Sequence, residues 1–121
     1  MAKFLLVYRS DKDTFDAMVP EQLQLFHQKW QTWIAEGQRK GWMLDVSTAL
    51  KTDGRVVNAN WVVSPGAFLE GRNVVRGYVN VEADTLDSAA EMAKGCPVLL
   101  HGGMVEVRPF WEGVPGLTRM P

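Results

Sequence analysis

Between Pro20 and Gly41 the apolar residues Leu23, Phe26, Trp30, Trp33, Ile34 and Gly37 recur at spacings of three and four. That spacing puts them on one face of an α-helix, so any fold of this chain must supply a broad apolar surface for the face to cover. The ends fit the same helix. Pro20 sits in the first turn, where its missing N–H costs nothing, and Glu21 adds negative charge at the positive end of the helix dipole. Lys40 and Gly41 provide a basic last turn and a glycine stop.

The surface to be covered comes from strands. Lys3–Tyr8, KFLLVY, is apolar without polar alternation and reads as a central strand covered on both faces. Arg9–Val19 is polar and irregular. Its Asp11, Asp13 and Asp16 suggest a calcium loop, but the required glycine and distal glutamate positions hold Asp16 and Gln22, so it is expected to be a solvated connection. After Gly41, WMLDVSTAL reads as a strand, Asp53-Gly54 as a turn, and Arg55–Val63 as its hairpin partner, broken by Ser64-Pro65-Gly66. Val74–Ala83 reads as a strand with Val75, Gly77, Val79 and Val81 on one face. Asp84 or Thr85 then caps a second helix, whose stripe is Leu86, Ala89, Ala90 and Ala93 and which stops at Gly95 before Cys96-Pro97. Met104–Phe110 is the last strand, with Met104, Val105 and Val107 set against Glu106 and Arg108. Residues 110–121 are expected to form an extended tail, and residues 1–121 a single domain.

Two helices on one face of an antiparallel sheet make an α+β sandwich of the ferredoxin-like kind. The five Trp, five Phe and two Tyr exceed what one helix layer needs, so the other sheet face is expected to pack on a second copy in a homodimer. With 13 Lys+Arg against 14 Asp+Glu, no basic excess points to nucleic acid. No apolar stretch approaches the ~20 residues of a membrane helix, and no leader peptide is recognisable at the N-terminus; a cytoplasmic protein is expected. A single cysteine and two histidines exclude CxxC pairs and a His-rich metal site, and no cofactor is expected. A triad of both histidines with Asp45 or Glu106 would need distant elements to converge. The glycines follow no phosphate-loop spacing.

Pro65-Gly66-Ala67-Phe68-Leu69-Glu70 followed by Gly77-Tyr78 resembles the DGPF-type signature of the YCII-related (YciI-like) proteins. The segment Ala83–Ala89, then Gly95-Cys96-Pro97, Gly102-Gly103 and Val105–Pro109, is similar to that family's C-terminal half. Pro20-Glu21-Gln22, Lys29-Trp30 and Trp33-Ile34 are similar to its first helix. The resemblance spans residues 3–110 and implies a ferredoxin-like chain that forms a dimeric α/β barrel, most often bacterial. Some relatives are lyase-like enzymes of chlorinated hydroxyquinols using a His and an Asp. Others, encoded beside sigma factors, imply a regulatory setting. The family's aspartate is Pro65 here, its proline is Ala67, and its Thr-Lys-Glu is Gly71-Arg72-Asn73; the first-helix histidine falls at Phe26, beside His27.

The candidate site residues follow. His27 borders the apolar stripe and His101 lies in a glycine-flanked turn; either is a candidate general acid or base, or an imidazole held by a backbone carbonyl. Glu70, Arg72, Arg76 and Arg108 are candidates to line a sheet-face pocket, where a guanidinium would hold a carboxylate or phenolate oxygen; the plainer reading is an ion pair such as Glu70–Arg72. Tyr78 lines either the helix side or the dimer side. Trp30, with Trp33, Trp42, Trp61 and Trp111, either walls a pocket for a planar ligand or packs the core. Cys96 pairs with His101 for catalysis or, more simply, is a buried inert thiol. Two functions are carried forward: a ligand-binding or regulatory small-molecule module, and a lyase- or isomerase-type enzyme with a histidine acid/base acting on a small aromatic or carboxylated substrate.

Overall fold

The computed structural model describes residues 1–111. The chain runs β1 (Ala2–Asp11), α1 (Pro20–Lys40), β2 (Met43–Val46), β3 (Arg55–Val57), β4 (Val63–Pro65), β5 (Leu69–Glu70), β6 (Asn73–Ala83), α2 (Leu86–Ala93), a 3-10 helix (Pro97–His101) and β7 (Met104–Pro109). The main sheet has the order β2-β6-β1-β7, all antiparallel, with β5 paired to the start of β6. This is an α+β fold with two helices against an antiparallel sheet, and its strand order is consistent with the ferredoxin-like arrangement.

Helix α1 has the expected ends. The N–H of Val19 donates to Gln22 Oε1 at 3.0 Å, satisfying one free donor ahead of Pro20. Gly41 takes φ 84°, and the next amide, Trp42 N–H, returns to Gly37 O at 3.1 Å. Its inward stripe is Phe26, Trp33 and Gly37, with Trp30 and Ile34 half-buried. Leu23, expected in that stripe, is 41% exposed, because the first turn of α1 overhangs a cavity rather than the sheet. Thr85 caps α2, its Oγ1 accepting from Ser88 N–H at 3.0 Å. Ala89 and Ala93 are buried, whereas Leu86, in the first turn, is exposed.

The core lies between sheet and helices. Phe4, Leu6 and Tyr8 of β1 meet Val79, Val81 and Ala83 of β6, and Trp33, Ala89, Ala93, Cys96 and Val98 close over them. Burial in β1 alternates: Phe4, Leu6, Tyr8 and Ser10 are buried and Leu5, Val7 and Arg9 are half-buried, so within one chain the strand is fully covered on one face only. Tyr8, Phe26, Trp30, Trp33 and Trp42 pack ring to ring on the helix side, whereas Trp61, Phe68, Tyr78, Phe110 and Trp111 are exposed.

Three local expectations are corrected. Met43–Val46 does not pair with Arg55–Val63; it takes the edge of the main sheet beside β6, and the hairpin forms within residues 55–65 as a separate β3–β4 ribbon. The turn is organised by Asn58, whose Oδ1 accepts from Asn60 and Val62 N–H, with Trp61 at φ 61°. Pro65 ends this ribbon, where no ladder donor is needed. In β6 the register slips: Tyr8 opposes Gly77 but Arg9 opposes Val75, so Arg76 is an unopposed bulge residue. Alternation breaks there, placing Val75 on the outer face while Val74, Arg76 and Gly77 are buried. In β7, Val105 and Val107 are half-buried but Met104 is exposed, being the first residue of an edge strand opposite Arg9. No described helix is long and apolar enough to cross a membrane. The tail expected over 110–121 lies outside the described residues from 112 onward.

Candidate functional site

A cavity of about 900 Å³ opens between the first half of α1 and the sheet. Its floor is Tyr8 from β1 and Arg76 from the bulge of β6. Its roof is Leu23, His27, Trp30 and Ile34 from α1, and Phe15 and Asp16 of the turn before α1 close one end. The segment after β2 forms the remaining wall. It is tied to β6 by Ser47 N–H to Tyr78 O (2.9 Å), Tyr78 N–H to Ser47 Oγ (2.9 Å) and Leu50 N–H to Arg76 O (2.7 Å).

The bulge governs the site. In a regular ladder Arg76 would alternate to the outer face; the extra residue turns it inward, where it is only 6% exposed. Its Nη1 donates to Leu50 O at 3.1 Å, and its guanidinium carbon lies 4.3 Å from the centre of the Phe15 ring. Its Nε is buried and has no hydrogen-bond partner, and among the described residues no carboxylate comes within ion-pair distance of it. Burial pushes the Arg76 pKa down, opposed by the charge of Asp16 and by Tyr8, and an arginine keeps its proton regardless.

Gly77 makes room beside it: a Cβ there would run into the Tyr8 hydroxyl and the Ser47 hydroxyl. Burial raises the Tyr8 phenol above its ordinary range, opposed by a hydrogen bond from Ser47 and by the Arg76 charge. The floor thus carries a neutral phenol, a hydroxyl and a fixed cation. The walls are ringed by aromatics, with Tyr8 4.8 Å from Trp30 and Phe15 5.1 Å from Phe26 between ring centres. Such a cavity suits a small planar molecule with one anionic group.

Of the candidate residues, His27, Trp30 and Arg76 come together here, with His27 in the roof and Arg76 in the floor. His101 does not line the cavity; its imidazole packs edge-on against Phe26 at 4.8 Å. Glu70, Arg72, Tyr78 and Arg108 also lie outside it. Glu70 faces Arg9 at 4.0 Å, not Arg72 as expected. Arg72 instead holds Asp11 and Asp13, at 2.7 and 2.6 Å, and Arg108 pairs with Glu106 at 3.1 Å. Tyr78, opposite Val7, is 40% exposed on the outer face. Cys96 is buried and its thiol is pushed up to about 12 by burial, so it is protonated and poorly nucleophilic. Among the described residues no cluster of three His, Cys, Asp or Glu side chains could hold a metal.

The sequence reading missed Tyr8, Phe15 and Ser47. Phe15 had a visible signal, being the one aromatic residue in an otherwise polar connection. Tyr8 closes the apolar run of β1, and its hydroxyl was hidden among core-forming neighbours.

The YCII-related domain, as a family model, matches residues 27–112. No curated protein matches the chain. A similar solved structure is 5-chloro-2-hydroxyhydroquinone dehydrochlorinase from Burkholderia phenoliruptrix AC1100 in complex with 2,5-dihydroxybenzoquinone. It is 17% identical, the match covers 91% of this chain and 95% of that chain, and the TM-score is 0.42.

Proposed function

The chain belongs to the YCII-related domain family, and from that membership we propose that the cavity between α1 and the sheet is a small-molecule site through which the protein acts as a ligand-binding or regulatory module. The observation that carries this reading is Arg76, a buried cation in the cavity floor with no carboxylate within ion-pair distance among the described residues. Burying an unpaired charge costs several kcal/mol, roughly, and such a cost is retained where an arriving anion offsets it. A homodimer, in which a second copy covers the half-buried Leu5, Val7 and Val75 of the outer face, belongs to the same proposal.

The test is a thermal-shift and calorimetric screen of small aromatic acids, phenols and neutral analogues against the full chain, beside a variant in which Ala49→Trp fills the cavity from its wall. Binding is expected in the parent and absent from the variant. Ligands that bind both equally would place the site elsewhere. Light scattering at low protein concentration tests the dimer, and a persistent monomer would remove it.

The position of His27 favours a second reading, a lyase- or isomerase-type enzyme. Its imidazole stands in the roof across the cavity from the Arg76 floor, so one group could move a proton while the other holds developing negative charge. His27 is exposed on α1, so His27→Gln is expected to leave the melting temperature unchanged while turnover of a cavity ligand falls at least 100-fold, the size of a lost general acid or base. Unchanged turnover would remove His27 as the acid or base, and absence of turnover of any cavity ligand by the parent would leave the binding module as the sole reading.

A further inference from the structure

The hydrogen-bonding of Arg76 is lopsided. Nη1 is used by Leu50 O, while the opposite edge, formed by Nε and Nη2, carries no hydrogen bond among the described residues. On a guanidinium that edge presents two parallel N–H groups, the spacing that matches both oxygens of one carboxylate. Arg76 and Lys51 bring two positive charges to the lining and Asp16 and Asp53 two negative ones, so its formal charges cancel; a phosphate dianion would bring two further negative charges toward both aspartates, whereas a monoanion on the Arg76 edge brings one. The bodies of Phe15, Phe26 and Trp30 leave a planar apolar group as the matching remainder of the ligand.

The geometry points to a planar monocarboxylate as the ligand class of this cavity, held side-on by the Nε–Nη2 edge of Arg76 with its body among the aromatic rings. This rests on the reading of the cavity as a small-molecule site. A phenolate offers one oxygen and would use half of the edge. A carboxamide presents its own N–H groups to those of Arg76 and is rejected, because the buried donor then stays unpaired.

The probes are benzoate, its isostere benzamide and the neutral filler benzyl alcohol, titrated by calorimetry into the full-length protein. Benzoate is expected to bind at least tenfold more tightly than benzamide. Arg76→Lys, which keeps the charge but loses the fork, is expected to lose at least tenfold in benzoate affinity. Arg76→Met is expected to abolish the preference and to melt at or above the parent temperature, since it removes an uncompensated buried charge. Equal affinity for benzoate and benzamide, or an undiminished preference in Arg76→Met, would overturn the inference. If Arg76→Met melts far below the parent or does not fold, Arg76→Lys and the parent preference decide. Binding of benzamide or benzyl alcohol without preference for benzoate leaves the cavity a small-molecule site of another class. No binding by any of the three defeats both readings.

Discussion

Two arginines four residues apart have opposite surroundings. At the corner where β5 meets β6, Arg72 is exposed and saturated: its Nε donates to Asp11 Oδ2 at 2.7 Å and its Nη2 to Asp11 Oδ1 at 3.3 Å and Asp13 Oδ2 at 2.6 Å. At the bulge, Arg76 is buried and its corresponding edge is empty. The corner shows what that edge takes within this protein when a carboxylate is within reach. It also shows that burial alone does not provide the partner, since the arginine already in water has two and the one removed from water has none. A surface pair contributes little to stability and a buried unpaired charge costs much, so the two sites cannot be explained by the same selective gain. The corner is an ordinary fastening of the β1–α1 connection to β6. At the bulge the fold answers the buried charge only with Leu50 O and the Phe15 ring, and a bound anion would complete its partners.

The largest expected effect comes from breaking the bulge side of this contrast. Gly77→Ala would drive a methyl group into the hydroxyls of Tyr8 and Ser47, and the Tyr8 ring is held in place by its tilted packing against Trp30, 4.8 Å between ring centres. Overpacking of this kind costs about 1–3 kcal/mol, and denaturant unfolding should show a loss in that range. Ligand affinity should fall with it, since the floor of the cavity is displaced. The double variant Gly77→Ala, Tyr8→Phe removes the clashing hydroxyl and should recover part of the stability; no recovery would show that the strain lies elsewhere.

How much of this could be read beforehand differs between the two regions for the same reason. The helix over Pro20–Lys40 was legible to its ends because its signals are local: a three-and-four stripe, an N-terminal proline and a C-terminal glycine. The strand over Val74–Ala83 was legible as a strand but not in its facing, because a single slipped pair between Tyr8 and Arg9 reverses which side chains look inward. Nothing around Arg76 announces that slip except the glycine after it. Arg76, His27 and Trp30 were therefore identifiable as residue types with suitable chemistry, while their convergence depended on a bulge and on the path of residues 47–53. The misplaced hairpin has a related origin. Arg55–Val63 alternates well enough to partner any strand, and only the turn built by Asn58 shows that it folds back on itself.

Alkali probes the interior side of the comparison with a smaller effect. The Cys96 thiol lies in the core and burial pushes it up to about 12, while an unfolded thiol ionises near 9. The raised folded value means that its stability contribution is whole below the unfolded value and is lost as pH rises from there toward the folded one. At pH 10 the unfolded state has already released this proton and the folded state has not, which lowers stability by about 1 kcal/mol. Cys96→Ala should flatten the fall between pH 8.5 and 10.5 in denaturant midpoints. Equal slopes in parent and variant would assign it to another group, Tyr8 being the next one raised by burial. The same burial predicts that a thiol reagent at pH 8 labels the folded protein only as fast as it opens.

Acid probes the corner, and there the smallest effect is expected. The Arg72 guanidinium, through its hydrogen bonds, and the Asp13 N–H hold the Asp11 carboxyl below the usual carboxylate range. Its folded value is depressed, so its contribution is present above the unfolded value near pH 4 and is lost as pH falls through the folded one. Because both partners stand in water, salt screens the attraction and side-chain ordering offsets most of it. Arg72→Met should therefore leave the neutral-pH midpoint almost unchanged, flatten the slope below pH 4, and remove the sensitivity of that slope to added salt. It should also leave benzoate binding intact, because Arg72 does not reach the cavity. A loss of binding in Arg72→Met matching that in Arg76→Met would dissolve the distinction between the two arginines, since it would mean that the anion responds to the net charge of the whole edge of β6 rather than to one buried fork.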